Sequence, residues 1–148
     1  MKRLITAAAA LILSLWAVVP LPAVAQSTID EVMVICTDVI NLQYEDDRSR
    51  DGQCIGAVAA FLDVIGAPSA EADPQIAELV IKLLELYRED PACKIADTEL
   101  PEAISTAAGK VLDEDIKAEY LLIFEQVNSC EFSSTAAIDP VPVPASLN

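Results

Sequence analysis

The chain has 148 residues, and 24 acidic residues against nine basic ones give it a net charge of −15. A surface this acidic repels the phosphates of nucleic acids and the headgroups of anionic lipids, so both are excluded as expected partners. The sequence contains no histidine, which removes the base that the common serine and cysteine catalytic triads require.

The first 25 residues have the pattern of a cleaved export signal. Lys2 and Arg3 form a positive segment, an apolar stretch follows, and Ala23-Val24-Ala25 precedes Gln26 as a small-residue cleavage site. We predict a signal peptide over residues 1–25, with an uncleaved membrane anchor as the alternative. Cleavage would remove two positive charges and leave a net charge of −17. The mature protein is expected to be periplasmic or secreted, with no stable membrane insertion.

Two helices are predicted in the first half of the mature chain. Ser27 and Thr28 each stand three residues before an acidic residue, which is the spacing of a capping box, and apolar residues then recur at helical intervals. The first helix is expected over about 29–43. An acidic stretch follows and is predicted to be an exposed loop. Asp51 is the expected N-cap of the second helix, which should end before Pro68.

The third predicted helix has the most regular apolar stripe. Asp73 is its expected N-cap, because Pro74 suits the first helical position, and the stripe extends from Ile76 to Tyr87.

A short fourth helix and a longer fifth helix complete the pattern. The fourth is predicted from about Thr98 to Ala108, with Gly109 as a left-handed stop. Asp113 is the expected N-cap of the fifth helix, whose apolar stripe leads to Cys130. No alternation of period two is long enough to predict a strand. The predicted fold class is therefore all-α, a small bundle of four or five helices with two disulfides.

The composition divides the chain into three segments. The signal peptide is followed by a predicted helical domain over residues 26–132. After Phe132, small polar residues lead into Pro140-Val-Pro-Val-Pro144, which cannot continue a helix. We predict a disordered, proline-rich tail over residues 133–148.

The four cysteines are expected to form disulfides, because an even number of cysteines in a small exported domain is typical of a disulfide framework. They are Cys36, Cys54, Cys93 and Cys130. Sequence alone leaves three connectivities open, but the predicted helical hairpins favour Cys36–Cys54 and Cys93–Cys130. A zinc site or a thioredoxin-like redox site is not expected, since the chain has no C-x-x-C pair.

No residue is assigned a catalytic, cofactor-binding or metal-binding role. Residues 47–52 imitate the first half of a calcium loop, but Val58 occupies the position that needs a bidentate carboxylate. Tyr44 and Phe132 lie beside predicted loops, so they are the candidate contacts for a protein partner.

The order of motifs along the chain resembles that of one known protein family. A predicted inward-facing cysteine lies on the first helix, Cys54-Ile55-Gly56 begins the second, Leu83 to Tyr87 precedes Asp90-Pro91, and Cys130 closes the last. This outline resembles the periplasmic immunity proteins that block type VI secretion amidases, with Ala57 in place of an aromatic residue. The resemblance implies a non-enzymatic, oligomeric inhibitor that plugs a cell-wall amidase, and it assigns no individual inhibitory residue.

The expected function is therefore binding rather than catalysis. We expect an exported, non-enzymatic helical protein that acts through protein–protein contacts, with inhibition of a cell-wall amidase as the most specific form. Two alternatives remain open. One is an acid- or stress-linked periplasmic holdase chaperone, whose carboxylates would lose their charge on acidification. The other is a hydrolase that uses a pair of carboxylates.

Overall fold

Residues 28–131 are the part of the chain that the structure, a computed structural model, describes. The predicted signal peptide, the predicted tail and Phe132 lie outside these residues.

Five α-helices and one 3₁₀ helix follow one another along residues 28–131, without a strand among them. They are α1 (Ile29–Tyr44), α2 (Gln53–Ile65), α3 (Asp73–Leu84), a 3₁₀ helix (Lys94–Asp97), α4 (Leu100–Ala108) and α5 (Glu114–Asn128). The prediction of an all-α fold is confirmed.

Helix α4 lies at the centre of the bundle and contacts α2, α3 and α5. Its inner face is fully buried and includes Leu100, Ala103, Ile104 and Ala107. The two alanines let neighbouring backbones approach closely, so this short helix can bury most of its surface. Helix α1 packs mainly against α2, and α5 packs against α4 and the 3₁₀ helix.

Each disulfide joins two elements of the bundle. Cys36 of α1 pairs with Cys54 of α2, with their Cα atoms 4.4 Å apart. Cys93, just before the 3₁₀ helix, pairs with Cys130, just after α5, with a Cα separation of 5.7 Å. This is the connectivity that the predicted hairpins favour. Two disulfides are compatible with an exported protein.

Two of the helix N-termini follow the predicted caps. The hydroxyl of Thr28 accepts the backbone N–H of Glu31, and the Glu31 carboxylate accepts the N–H of Thr28, which completes a capping box. Asp113 caps α5 by accepting the N–H groups of Asp115 and Ile116.

The prediction that Asp51 caps α2 is wrong. Gly52 is the N-cap, in the left-handed region at φ 85°, and it has no side chain to offer. The carboxylate of Glu99 takes over this role and accepts the N–H groups of Gly52 and Ile55. Asp51 instead accepts a hydrogen bond of 2.7 Å from the side-chain amide of Gln43. Glu99, which lies 47 residues from Gly52 in the sequence, thus caps α2 in place of Asp51.

Asp73 is not the N-cap of α3 but its first helical residue, because Ala72 is the N-cap. The buried Asp73 carboxylate accepts the N–H groups of Leu112 and Asp113, at 3.0 and 3.4 Å. It therefore fixes the turn between α4 and α5 to the start of α3.

Two predicted helix ends also differ. Helix α3 ends at Leu84, before Tyr87, because the N–H groups of Leu86 and Tyr87 bond back three residues in tight turns. Gly109 has a right-handed φ of −62°, so it is not a left-handed stop.

Candidate functional site

An open groove lies where α1 begins, α2 ends and α3 begins. The capping box starts α1 at Ile29, and Gly66 ends α2 with a φ of 91° that disfavours any residue with a Cβ atom. The chain then reverses and starts α3 at Asp73. These three helix ends leave a groove of about 530 Å³ between them.

The floor of this groove is apolar. Ile29 of α1 and Phe61, Val64 and Ile65 of α2 line it. Val64 is 51% exposed, whereas Phe61 is 5% exposed and reaches down to the core. Val64 thus leaves apolar surface in contact with water, which an apolar partner would cover favourably.

The rim of the groove is acidic and polar. Asp30 and Glu78 line it together with Thr28 and Gln75. Asp30 forms an exposed salt bridge of 3.2 Å with Lys82, whereas Glu78 forms none within residues 28–131. Exposed salt bridges hold weakly, so a basic side chain of a partner could compete for the Asp30 carboxylate. We call the groove with its apolar floor and polar rim the α1–α2–α3 groove.

The surrounding field reinforces the acidic rim, since most of the basic side chains are engaged within the protein. Salt bridges within residues 28–131 engage Arg50, Lys82, Lys94 and Lys117. The guanidinium of Arg48 donates to the carbonyl of Asp97. The net negative charge of the surface therefore favours cationic partners.

The predicted contact Tyr44 lies at the opposite end of α1, about 22 Å along the helix from Ile29 at 1.5 Å per residue. Its hydroxyl donates at 3.2 Å to the carbonyl of Arg88 and to the carboxylate of Asp90. The Arg88 guanidinium stacks over its ring at 5.1 Å. The side chain thus joins α1 to the segment after α3, away from the groove.

The environment of Tyr44 shifts the pKa values of two groups, the Tyr44 hydroxyl and the Asp90 carboxyl. Burial, reinforced by the charge of Asp90, raises the pKa of Tyr44 to about 12. The backbone N–H of Lys94 donates to Asp90 and is the main reason that the pKa of this carboxyl is lowered.

The side-chain amide of Gln43 brings two carboxylates together, those of Asp51 and Glu99. The amide of Gln43 donates to Asp51 at 2.7 Å and to Glu99 at 3.1 Å. Glu99 is 8% exposed, and both of its oxygens also accept backbone N–H groups of α2. With its oxygens occupied in this way, Glu99 acts as the cap of α2.

The calcium-like loop is held by one bond within it and by one bond to α1. The N–H of Ser49 donates to Asp47, which lowers the pKa of that carboxyl. Arg50 pairs with Asp38 of α1. No group of three or more potential metal ligands occurs within residues 28–131.

Further exposed aliphatic side chains do not line the groove. Leu121 and Leu122 of α5 are 40% and 62% exposed, and Leu112 before α5 is 52% exposed. Val34 protrudes from the outer face of α1. Apolar side chains are therefore exposed on more than one face of the protein. A substitution of one of them can serve as a control for a substitution in the groove.

Comparison with protein-family models, with curated proteins and with solved structures gives no significant match. No residue role is therefore carried over from a relative. Among the helices within residues 28–131, none combines the length and apolar character that a bilayer crossing requires.

No local sequence pattern indicates the α1–α2–α3 groove as a whole. Tyr44 and Phe132 border predicted loops, but the Tyr44 hydroxyl bonds within the protein. The sequence contains one indication of the groove, because Val64 is an apolar residue that does not belong to the buried stripe of α2. That the ends of three helices meet beside it depends on the tertiary fold.

Proposed function

We propose that the protein is an exported, non-enzymatic binding protein that holds a basic, apolar segment of a protein partner in the α1–α2–α3 groove. The observation that supports this proposal is the combination of exposed Val64 on an apolar floor with Asp30 and Glu78 on the rim. An apolar floor provides affinity, and carboxylates on the rim select the sign of the partner's charge.

The charge of the whole molecule supports a cationic partner. A strongly negative protein attracts a positive partner over a distance of about 10 Å at moderate salt and repels other copies of itself. Since the described arginines and most of the lysines already contact acceptors of their own chain, few basic groups are left to bind an acidic partner.

The most specific form of the proposal is an immunity-type inhibitor of a cell-wall amidase. It is supported by the order of the cysteine and glycine motifs and by the export signal that the sequence predicts. In this form, the partner inserts a basic segment into the groove and is held in an inactive complex.

Affinity capture with three baits tests the proposal. The baits are the mature oxidised protein, Val64→Lys in the groove and Leu122→Lys on α5. Both substitutions add one positive charge at a side chain that is at least half exposed, so the two variants match in net charge and in exposure. Circular dichroism verifies that all three are folded.

We expect a basic exported protein to be retained in stoichiometric amount by the mature protein and by Leu122→Lys, and to be lost from Val64→Lys. Retention by all three baits would reject the groove as the binding surface. An empty column for the unmodified bait would reject the binding function. A captured amidase would then be assayed for inhibition, which tests the immunity form separately.

A further inference from the structure

The two disulfides lie in very different environments. Cys36 and Cys54 lie inside helices, and both are 0% exposed in the core between α1 and α2. Cys93 and Cys130 are only partly buried, and both lie outside the α-helices. A thiol from solvent can therefore approach the second pair without separating two packed helices.

Backbone conformation also distinguishes the second pair. Cys93 and Cys130 have φ values of 56° and 57°, in the left-handed region that residues with a Cβ atom rarely adopt. Such a conformation is unfavourable in itself and persists only where the surrounding structure enforces it. At Cys130 this conformation belongs to the hydrogen-bonded end of α5, where the N–H groups of Cys130 and Glu131 donate to the carbonyls of Val127 and Gln126. Both cysteines therefore lie at reversals of the chain and not within a helix.

The second disulfide lies at one end of α5, away from the fixed N-terminal end of that helix. Helix α5 packs against α4 and the 3₁₀ helix, and the disulfide holds its C-terminal end to the start of the 3₁₀ helix. The capped N-terminal end of α5 remains fixed by Asp113 and by the bonds from Leu112 and Asp113 to Asp73. Beyond the buried Val127, the last residues of α5 are exposed, so opening of the Cys93–Cys130 bond needs to disturb only this end of the helix.

We propose that Cys93–Cys130 is a thiol–disulfide exchange site, which a dithiol reductant opens while Cys36–Cys54 and the helical core stay intact. One thiolate of the dithiol attacks a sulfur of the pair, the protein S–S bond breaks, and the other cysteine leaves as a thiolate. The second thiolate of the reductant then attacks the mixed disulfide. Two electrons pass from the dithiol, which becomes a cyclic disulfide, and both cysteine thiolates take up protons from water.

Timed reduction of the mature oxidised protein by dithiothreitol tests this proposal. Samples are blocked with iodoacetamide at intervals, and mass spectrometry of the peptides gives the alkylation of each cysteine. We expect Cys93 and Cys130 to be labelled together, at least about tenfold faster than Cys36 and Cys54, because local opening precedes global unfolding. Circular dichroism should retain its helical signal while the fast pair reacts.

The dependence on urea gives a second readout. Below the unfolding transition, the fast rate should change little with urea, whereas reduction of Cys36–Cys54 should accelerate as unfolding becomes easier. One common rate for all four cysteines, or the same urea dependence for both pairs, would overturn the proposal.

A double variant isolates the buried pair. Cys93→Ser with Cys130→Ser leaves only Cys36–Cys54, which should resist the reductant for as long as the variant is folded. Rapid reduction of the folded variant would overturn the proposal. If the variant does not fold, the labelling rates of the unmodified protein decide the question alone.

Discussion

At the residue scale, Glu99 is the side chain on which the start of α2 depends. It is a buried acid whose oxygens accept two backbone N–H groups of α2 and the amide of Gln43. Its own backbone N–H donates to Gln43 at 2.9 Å, so the two side chains fix each other. The same two residues thus join α1, α2 and the start of α4.

Replacing Glu99 with glutamine should destabilise the protein by about 1–3 kcal/mol, because the new NH₂ group faces a donor and leaves a buried polar group without an acceptor. Glu102→Gln is the matched control, since Glu102 is an exposed acid on the same helix. Its change should stay within about 0.5 kcal/mol. Urea unfolding measures both values, and equal effects would contradict the assignment of Glu99 as the cap.

The tyrosines give a prediction for alkaline pH. Burial, together with nearby carboxylates, raises the pKa of Tyr44 and of Tyr120 to about 12, and burial also raises that of Tyr87. An unfolded tyrosine has a pKa of about 10. The folded state therefore retains the proton more strongly, and its stability is fully present below about pH 10 and is lost as the pH rises toward 12.

Absorbance at the phenolate band should therefore rise well above pH 10 in the folded mature protein and near pH 10 in urea. Tyr44→Phe should remove one part of the high-pH signal and lower the free energy of unfolding by about 1 kcal/mol, because the hydroxyl loses its bonds to Arg88 and Asp90. A folded protein that titrates like the unfolded one would contradict this account.

At the element scale, the N-terminus of α5 offers a controlled test of capping. Asp113 and Asp115 are both exposed acids at this end, but only Asp113 has a side chain that accepts the N–H groups of the first turn. Replacing either with alanine removes one negative charge near the positive end of the helix dipole.

Asp113→Ala should cost about 1 kcal/mol of stability, whereas Asp115→Ala should cost only a few tenths. The free energies of unfolding of the two variants measure the difference. Since the charge change is the same, a larger loss for Asp113→Ala reports more than the lost charge, and equal losses would mean that Asp113 acts only through its charge.

The helices themselves could be predicted because their signals are local. The stripe of α3, the capping box at Thr28 and the cap at Asp113 each lie within a few residues of the element that they specify. The caps that failed depend on tertiary contacts. Glu99 caps α2 in place of Asp51, and Asp73 bonds to the turn before α5. Both contacts join residues that are far apart in the sequence, so they form only when the chain folds.

The candidate site could be predicted only in part. The exposure of Val64 follows from its position off the stripe of α2. The groove also needs Ile29 and Glu78, which are joined to Val64 only by packing of three helix ends. Tyr44 lies beside a predicted loop, and no local pattern indicates that its hydroxyl bonds to the segment after α3.

At the scale of the whole molecule, net charge should govern the response to salt. A net charge of −15 leaves many like charges close together, and their repulsion favours the expanded, unfolded chain. Raising sodium chloride from about 10 mM to about 0.5 M shortens the screening length from about 30 Å to about 4 Å.

The free energy of unfolding should therefore increase with sodium chloride. Urea unfolding at the two salt concentrations measures the change. Chloride is chosen because sulfate also stabilises proteins by exclusion from their surface. A decrease would mean that the four exposed salt bridges contribute more than the repulsion among the remaining carboxylates.

The central claim is that the α1–α2–α3 groove binds a basic, apolar segment. Isothermal titration calorimetry with a helical peptide of lysine and leucine, apolar along one face, tests it against the mature protein, Val64→Lys and Leu122→Lys. We predict equal Kd values for the mature protein and Leu122→Lys, and a Kd at least about tenfold weaker for Val64→Lys. Equal affinity for all three proteins, or no binding to the mature protein, would contradict the account.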